Sequence, residues 1–382
     1  MAESRVFPDD VPVLVDREVS LRAHRPTDLD EMVVQCTDPL NIRWTTVPVP
    51  FTRQDAADYA TKVMAGGWAD GTEFGFAIEA PHPDGVHRFC GTVSLRWMGE
   101  NVAEVAYGLH PAARGRGIAR RAVSLLLDWG FTELGLDVVV WYAEVGNWRS
   151  RRVAWALGFS HDGTVARLLR QRGERKDAWV GSLRAGEPRE PVTRWLSPAV
   201  LETERLRLRP LADEDTERLF EMLNDERARH YGGRTRSVRE QHTGEQVLLR
   251  AREGEAEGKR YHWAVTERGD DRIIGYVQVF ELDGLDETAG KLGYTLHADS
   301  RGKGYLAEVL TALTDHAFGD LGLRLLSLRT AASNTASRRG AERAGYAHVA
   351  TQPAAFTIGE SDFDDLVVYQ RLNPNWVRAD PA

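Results

Sequence analysis

The feature that most constrains this chain is that it matches itself at a shift of 187 residues. Tyr107 meets Tyr294, Arg114 meets Arg301, Gly117 meets Gly304, Asn147 meets Asn334 and Gly158 meets Gly345. Over 104–159 the ungapped shift gives 18 identities in 56 positions. It also pairs Leu21-Arg22 with Leu208-Arg209, Asp28 with Asp215, Asp38 with Asp225 and Trp44 with Tyr231. Near Gly91 the offset becomes 184, GTVSL against GYVQV, and three extra residues before Lys291 restore it. A solenoid unit spans roughly 20–50 residues, so this period is a duplicated domain. Three prolines and no sustained apolar period mark 184–200 as a linker between domains at 1–183 and 201–382.

Composition removes several classes. At 42% hydrophobic and 28% charged residues the chain can bury ordinary cores. A net charge of -8 disfavours a broad nucleic-acid surface. No apolar run reaches the roughly 18–20 residues of a membrane span. The opening MAESRVFPDDVP is acidic and proline-broken, with no signal-peptide core. Cys36 and Cys90 are too few for a disulfide scaffold or a four-cysteine zinc site, and both read as buried and inert. A soluble, cytoplasmic, two-domain protein without a metal is expected.

Each copy mixes strands and helices. First strands are expected at 19–22 and 205–209, with helices after Thr27-Asp28 and Asp213. Residues 76–78 and 263–265 lead into an antiparallel hairpin with GTVSL and GYVQV. A strand at 104–109 or 291–296, a glycine turn and an amphipathic helix at 118–131 or 305–318 follow. Another strand (138–142; 325–328), a shorter helix ending at Gly158 or Gly345, and one closing strand (179–183; 366–369) complete each copy. The fold class is α/β with a mixed sheet.

The segments HPAARGRGIARRA and HADSRGKGYLAEV pass from strand to helix through R-G-[RK]-G. Two glycines allow a sharp turn that presents helix-start amides, a site that favours an anion. Arg114, Arg116, Arg301 and Lys303 add positive charge there. A dinucleotide fold needs a third small residue, but the first copy has Arg120 and the second Ala307. No phosphate-binding G-x-x-x-x-G-K-[ST], G-x-S-x-G, H-E-x-x-H or C-x-x-C occurs.

These segments, with E104-V-A-Y-G-L before the first turn and N-x-x-S-R-R-x-A after each helix, resemble the GNAT superfamily of N-acetyltransferases. The opening L-R-x-x-x-x-x-D and the D38-P…R43-W44 run are similar to its ribosomal-protein N-terminal acetyltransferase branch. The resemblance implies two tandem domains, each a mixed, centrally splayed sheet flanked by helices, with acetyl-coenzyme A as co-substrate. It implies pyrophosphate loops at Arg114, Gly115, Arg116, Gly117, Ile118 and Ala119, and at Arg301, Gly302, Lys303, Gly304, Tyr305 and Leu306. The strand ends Leu109 and Leu296 would meet the pantetheine arm. The family prefers Gly or Ala where Leu306 stands, which puts coenzyme affinity of the second copy in doubt.

Direct acyl transfer needs a neutral amine, an oxyanion site and a proton for the thiolate. At pH 7 an α-amine is roughly one-tenth neutral and a lysine amine roughly 0.04%, a difference of about 3 kcal/mol. A general base therefore matters more for lysine-like acceptors. Glu104 stands where family members carry such a base; Lys291 replaces it in the second copy, with Glu281 or Asp283 as substitutes. Ser150 and Ser337 either protonate the thiolate, as the branch implies, or cap their helices. Asn147 and Asn334 either cap or hydrogen-bond pantetheine or substrate. Tyr107 and Tyr294 read as core, and Arg151-Arg152 and Arg338-Arg339 as exposed helix charge. Trp44 and Tyr231 stand where the branch builds an acceptor wall.

The functional expectation is acetyl transfer to an amine, with the first copy the better-equipped catalyst. The alternatives are coenzyme binding without chemistry, or transfer of another acyl group in small-molecule biosynthesis or resistance. A protein N-terminus, a lysine, an antibiotic or a polyamine-like metabolite fits as acceptor, and the acidic balance tilts toward cationic ones.

Overall fold

The computed structural model describes residues 11–232 and 243–377; the first ten residues of the acidic, proline-broken N-terminus lie outside them. The chain divides into two compact units, Met1–Val192 and Thr193–Ala382. Among the described residues each unit is built on one eight-stranded mixed sheet.

The first unit contains β1 (Leu14–Val15), β2 (Ser20–Arg22), β3 (Glu73–Pro81), β4 (His87–Gly99), β5 (Val102–Leu109), β6 (Val138–Glu144), β7 (Gly163–Gln171) and β8 (Glu174–Arg184). Its helices are α1 (Leu29–Thr37), α2 (Pro39–Trp44), α3 (Arg53–Asp58), α4 (Ala65–Asp70), α5 (Ile118–Thr132) and α6 (Trp148–Ala156). The sheet order is β1-β2-β3-β4-β5-β6-β8-β7, and β5–β6 is its parallel pair.

The second unit contains β9 (Leu201–Glu202), β10 (Leu206–Arg209), β11 (Arg260–Glu267), β12 (Ile273–Phe280), β13 (Ala289–Leu296), β14 (Leu325–Ala331), β15 (Ala347–Ile358) and β16 (Asp362–Leu372). Its helices are α7 (Thr216–Asn224), α8 (Glu226–Tyr231), α9 (Gly244–Ala256), α10 (Tyr305–Gly319) and α11 (Thr335–Arg343). The order β9-β10-β11-β12-β13-β14-β16-β15 repeats the first, with β13–β14 parallel. The core helices α5 and α10 are amphipathic. Ala122, Leu126 and Trp129 are buried on one, Val309, Leu313 and Ala317 on the other. Among the described residues no helix is long and apolar enough to cross a membrane.

Two local readings need correction. The single closing strand of each copy is a hairpin, β7–β8 or β15–β16. The outer strand escapes a periodicity search because it lies at the sheet edge, mostly exposed, with no alternating buried face. Arg151 is also no exposed charge. It is buried, with its guanidinium 4.6 Å from the Trp179 ring centroid and 5.5 Å from that of Trp148.

The proline-rich segment between the units is docked piece by piece. Arg189 pairs with Asp128 at 2.6 Å and donates to the Ser124 carbonyl at 3.0 Å. Farther on, Leu196 is buried and its N–H donates to the Glu255 carbonyl, while the Trp263 indole donates to the Ala199 carbonyl.

The shared L-R-x-x-x-x-x-D pattern is a structural pin. Arg22 grips Asp28 through two hydrogen bonds of 2.8 and 2.9 Å, and Arg209 grips Asp215 through two of 2.8 Å. Each aspartate also accepts a backbone N–H, from Arg25 or Ala212, at 2.8 Å, fixing the turn into the first helix. Both partners of the first pair are buried. Asp28→Ala leaves a buried guanidinium short of its main counter-charge, and is expected to lower unfolding free energy by about 3–5 kcal/mol. Urea denaturation checks this; a loss below about 1 kcal/mol contradicts it.

Candidate active site

The parallel pair at the centre of each sheet comes apart. In the first unit β5 and β6 are in register only from Val102↔Val138 to Val105↔Trp141. Beyond that point β5 stays with β4 as far as Leu109, and β6 stays with β8 as far as Glu144. Residues 106–109 therefore have no ladder partner on the β6 side. In the second unit register ends at Leu292↔Leu328, while β13 follows β12 to Leu296. A cleft of ≈ 560 Å³ opens there in the first unit and one of ≈ 1050 Å³ in the second.

The glycine turns stand at the mouths of these clefts. Gly115 and Gly117 have φ of +73° and +75°, Gly302 and Gly304 of +79° and +81°. A Cβ on Gly115, Gly117 or Gly302 would meet nothing within 4 Å, so backbone conformation alone demands glycine. No side chain caps the start of α5 or α10, which leaves the first-turn amides to an outside acceptor. Ahead of each turn a histidine Nδ1 accepts a backbone N–H, His110 from Ala112 and His297 from Asp299.

The flanking arginines already have partners within the protein. Arg114 donates to Asp38 at 2.5 Å and to the Leu109 carbonyl at 3.3 Å; Arg301 donates to Asp225 at 2.5 Å and to the Leu296 carbonyl at 3.1 Å. Asp38 in turn caps α2 and Asp225 caps α8. The Arg114 hydrogen bond holds the Asp38 carboxyl below its ordinary range. These arginines brace the turn with neutralised charge. Arg116 donates to the Pro81 carbonyl at 2.6 Å, and Lys303 lies 3.6 Å from Glu267. Leu109, Arg114 and Ala119 line the first cleft; Gly115, Arg116, Gly117 and Ile118 lie outside its lining, Ile118 being buried. Leu296, Arg301, Gly302, Gly304, Tyr305 and Leu306 line the second; Lys303 does not.

Glu104 lines the first cleft just before the strands part. Burial raises its carboxyl above the ordinary value, Arg96 at 3.5 Å opposes this, and the Glu73 charge adds to it. Tyr142, on the facing strand, lines the same cleft, and its hydroxyl is raised by burial and by the Glu104 charge. In the second unit Lys291 is ion-paired with Glu281, and neither Glu281 nor Asp283 lines the cleft.

Asn147 and Asn334 cap α6 and α11, their Oδ1 atoms accepting the N–H of Ser150 and Ser337 at 3.3 Å. The serine hydroxyls are not caps. Ser150 Oγ accepts from the Trp141 indole at 3.0 Å and lies 2.9 Å from the Tyr107 hydroxyl. Ser337 Oγ lies 2.8 Å from the Tyr294 hydroxyl. Reading both tyrosines as core missed this: the rings are part-buried, but the hydroxyls reach the site. The available signal was that a tyrosine on an apolar face needs a hydrogen-bond partner, here repeated in two copies. Burial pushes both phenols up to about 12, so they are neutral hydrogen-bonding groups at physiological pH. Cys36 also lines the first cleft, but burial raises its thiol to about 12, and that of Cys90 to about 11.

Comparison with known proteins decides the family. The acetyltransferase (GNAT) domain family matches residues 18–160 and again 205–347. This chain belongs to the acetyltransferase (GNAT) family. It is 34% identical over 89 residues to "Probable N-acetyltransferase YjcK" of Bacillus subtilis (strain 168), which is 23% of this chain and 49% of that protein. It is 30% identical over 141 residues to the uncharacterized N-acetyltransferase YoaA of the same organism, 37% of this chain and 78% of that one. The crystal structure of ribosomal-protein-S5-alanine acetyltransferase from Vibrio fischeri aligns with TM-score 0.42 and 19% identity, covering 47% of this chain and 100% of that chain.

The two GNAT clefts are packed differently at one point. Ala119 and Val153 line the first; Leu306 and Gly340 occupy the matching positions of the second. A Cβ on Gly340 would lie 2.4 Å from Leu306 Cδ2 and 2.9 Å from its Cγ. The large side chain has moved from one helix to the other, so Leu306 is housed by Gly340. Gly340→Val is expected to destabilise by about 1–3 kcal/mol through overpacking. Adding Leu306→Ala should recover most of that loss, read as the coupling in a double-mutant cycle of denaturation midpoints. Additive losses contradict the pairing.

Proposed function

We propose that the chain is an acetyl-coenzyme A-dependent N-acetyltransferase whose first unit is the better-equipped catalyst. The observation that carries this reading is an unpaired strand edge and a carboxylate with raised proton affinity in one cleft, with an uncapped glycine turn beside it between the lining residues Arg114 and Ala119. The amides at the start of α5 fit a diphosphate, and the open edge of residues 106–108 fits an extended amide-bearing arm. The coenzyme supplies an acetyl group activated as a thioester.

Glu104, directly or through one water, takes the proton of the incoming ammonium. Its raised proton affinity brings it nearer the operating pH than an ordinary carboxylate. Ser150, held between Trp141 and Tyr107, orients a hydroxyl that can hand a proton to the departing sulfur and take up the second proton that the nitrogen releases as the amide forms. Asn147 fixes the turn that presents Ser150. In the second unit Asn334, Ser337 and Tyr294 repeat this arrangement, but no carboxylate is among the described residues lining the cleft. That observation favours a second unit that binds coenzyme with weak or no transfer to protonated amines.

Glu104→Gln is expected to lower turnover by about 10²–10⁴-fold while leaving coenzyme affinity unchanged, read by thiol release across an amine panel. The parent enzyme should lose activity as pH falls through the raised Glu104 value, and the variant should lack that limb. Stability should move the other way. A carboxyl raised by folding contributes stability below its unfolded value and loses it as pH rises through the folded one. At neutral pH the variant should therefore be at least as stable as the parent. Unchanged turnover dismisses Glu104 as the base.

A further inference from the structure

The two clefts differ in charge at the end remote from the glycine turn: the first is lined by carboxylates as well as cations, the second by cations alone among the described residues. In the first unit the side-by-side positions on β3, β4 and β5 are Glu73, Arg96 and Glu104. The same positions on β11, β12 and β13 hold Arg260, Phe280 and Lys291. Across the gap Tyr142 becomes Arg329, two residues beyond the partner of Lys291, Ser327, and so on the same face. Eight arginines and one lysine line the second cleft, and no Asp or Glu does among the described residues. Glu104 and Glu144 line the first, beside Arg96, Arg114, Arg149, Arg170 and Lys176.

These cations are not all needed by a coenzyme. Arg301 is taken up by Asp225, and Arg339 and Arg343 lie on α11, on the side where diphosphate and adenylate charge would be met. Lys291 stands five residues before Leu296, about 17 Å of strand away from the turn. Arg260 lies two strands over, roughly 10 Å at the backbone, and both side chains are long enough to meet one small molecule. Among the described residues no carboxylate pairs with Arg260, Arg329, Arg227 or Arg229; Lys291 shares its charge with the half-exposed Glu281. Arg260 is half-buried and Arg227, Arg229 and Arg329 are exposed at the cleft's rim; guanidinium groups converging on one cleft without carboxylates can take carboxylate or phosphate oxygens through paired N–H donors. His262, Tyr276 and Phe280 replace Gly75, Thr92 and Arg96, giving this recess an aromatic floor.

We propose that the second cleft is an anion-binding site whose far end takes a small molecule bearing two or more carboxylate or phosphate groups, held by Arg260, Lys291 and Arg329. The site departs from the tilt toward cationic acceptors that the overall charge gives. It stands on the charge and geometry of this cleft and does not require transfer to occur there.

Calorimetric titration of the full chain, with and without saturating coenzyme A, tests it with citrate and inorganic pyrophosphate as probes. The expected result, with coenzyme A saturating and so covering the glycine turns, is one remaining site per chain with Kd below about 1 mM. The tighter probe then tells carboxylate from phosphate ligands. Arg260→Glu with Arg329→Glu should weaken binding at least tenfold, and Arg329→Gln alone should weaken it several-fold, guarding against a misfolded reversal. Exposed Arg120→Glu in the first unit should change nothing. No binding, loss of all probe binding on coenzyme saturation, or indifference of the remaining site to the reversals overturns the proposal. Spermidine binding that depends on these residues overturns it too. A chain that binds the probes but not coenzyme A keeps this inference and loses the transferase reading instead.

Discussion

Everything functional in this molecule follows from two parallel strands that stop hydrogen-bonding to each other half-way. A buried sheet normally satisfies its amides and carbonyls on both sides. Here β5 keeps its β4 ladder and gives up β6 after Val105, and β13 does the same after Leu292. The outward strands hold because each has an antiparallel neighbour, β4 and β8 in one unit, β12 and β16 in the other. The cost of an open edge within a sheet is tolerable only if something polar can lie along it. The cleft is therefore a consequence of topology, and the glycine turn and uncapped helix complete it at one end.

Within that shared frame, divergence has been concentrated where it changes chemistry. The braces are kept: Arg114–Asp38 and Arg301–Asp225, the Asn caps, the Tyr–Ser contacts and the Arg–Asp pins recur in both units. The cleft walls are not. A carboxylate-arginine-carboxylate row has become arginine-phenylalanine-lysine, and bulk has moved from Val153 to Leu306. Duplication supplies this freedom, since one cleft can keep its carboxylate while the other is recast around a different charge.

Much of this was legible in the sequence, and what was not has physical reasons. The repeat, the strand-turn-helix segment and the glycines could be read because local backbone demands leave local residue signatures. The brace from Arg114 to Asp38 spans 76 residues, and only its recurrence at the same spacing in the second copy hinted at a contact. The charge inversion depends on which residues of three strands lie side by side, and the drift of the offset from 187 to 184 hides the match of Arg96 with Phe280. The edge strands β7 and β15 bury too little to leave a period. Tyr107 was assigned correctly by its ring and wrongly by its hydroxyl, because periodicity reports where a side chain packs and says nothing about what its tip touches.

The central claim is that the parted strands and the glycine turn of the first unit hold a thioester beside Glu104. A crystal structure of the full chain soaked with acetyl-coenzyme A tests this most directly. The account predicts diphosphate oxygens on the amides at the start of α5, the pantetheine arm along residues 106–109, and the acetyl carbonyl in the cleft that Glu104 and Ser150 line. Coenzyme bound elsewhere, or a first cleft that stays closed to it at millimolar concentration, would contradict the account.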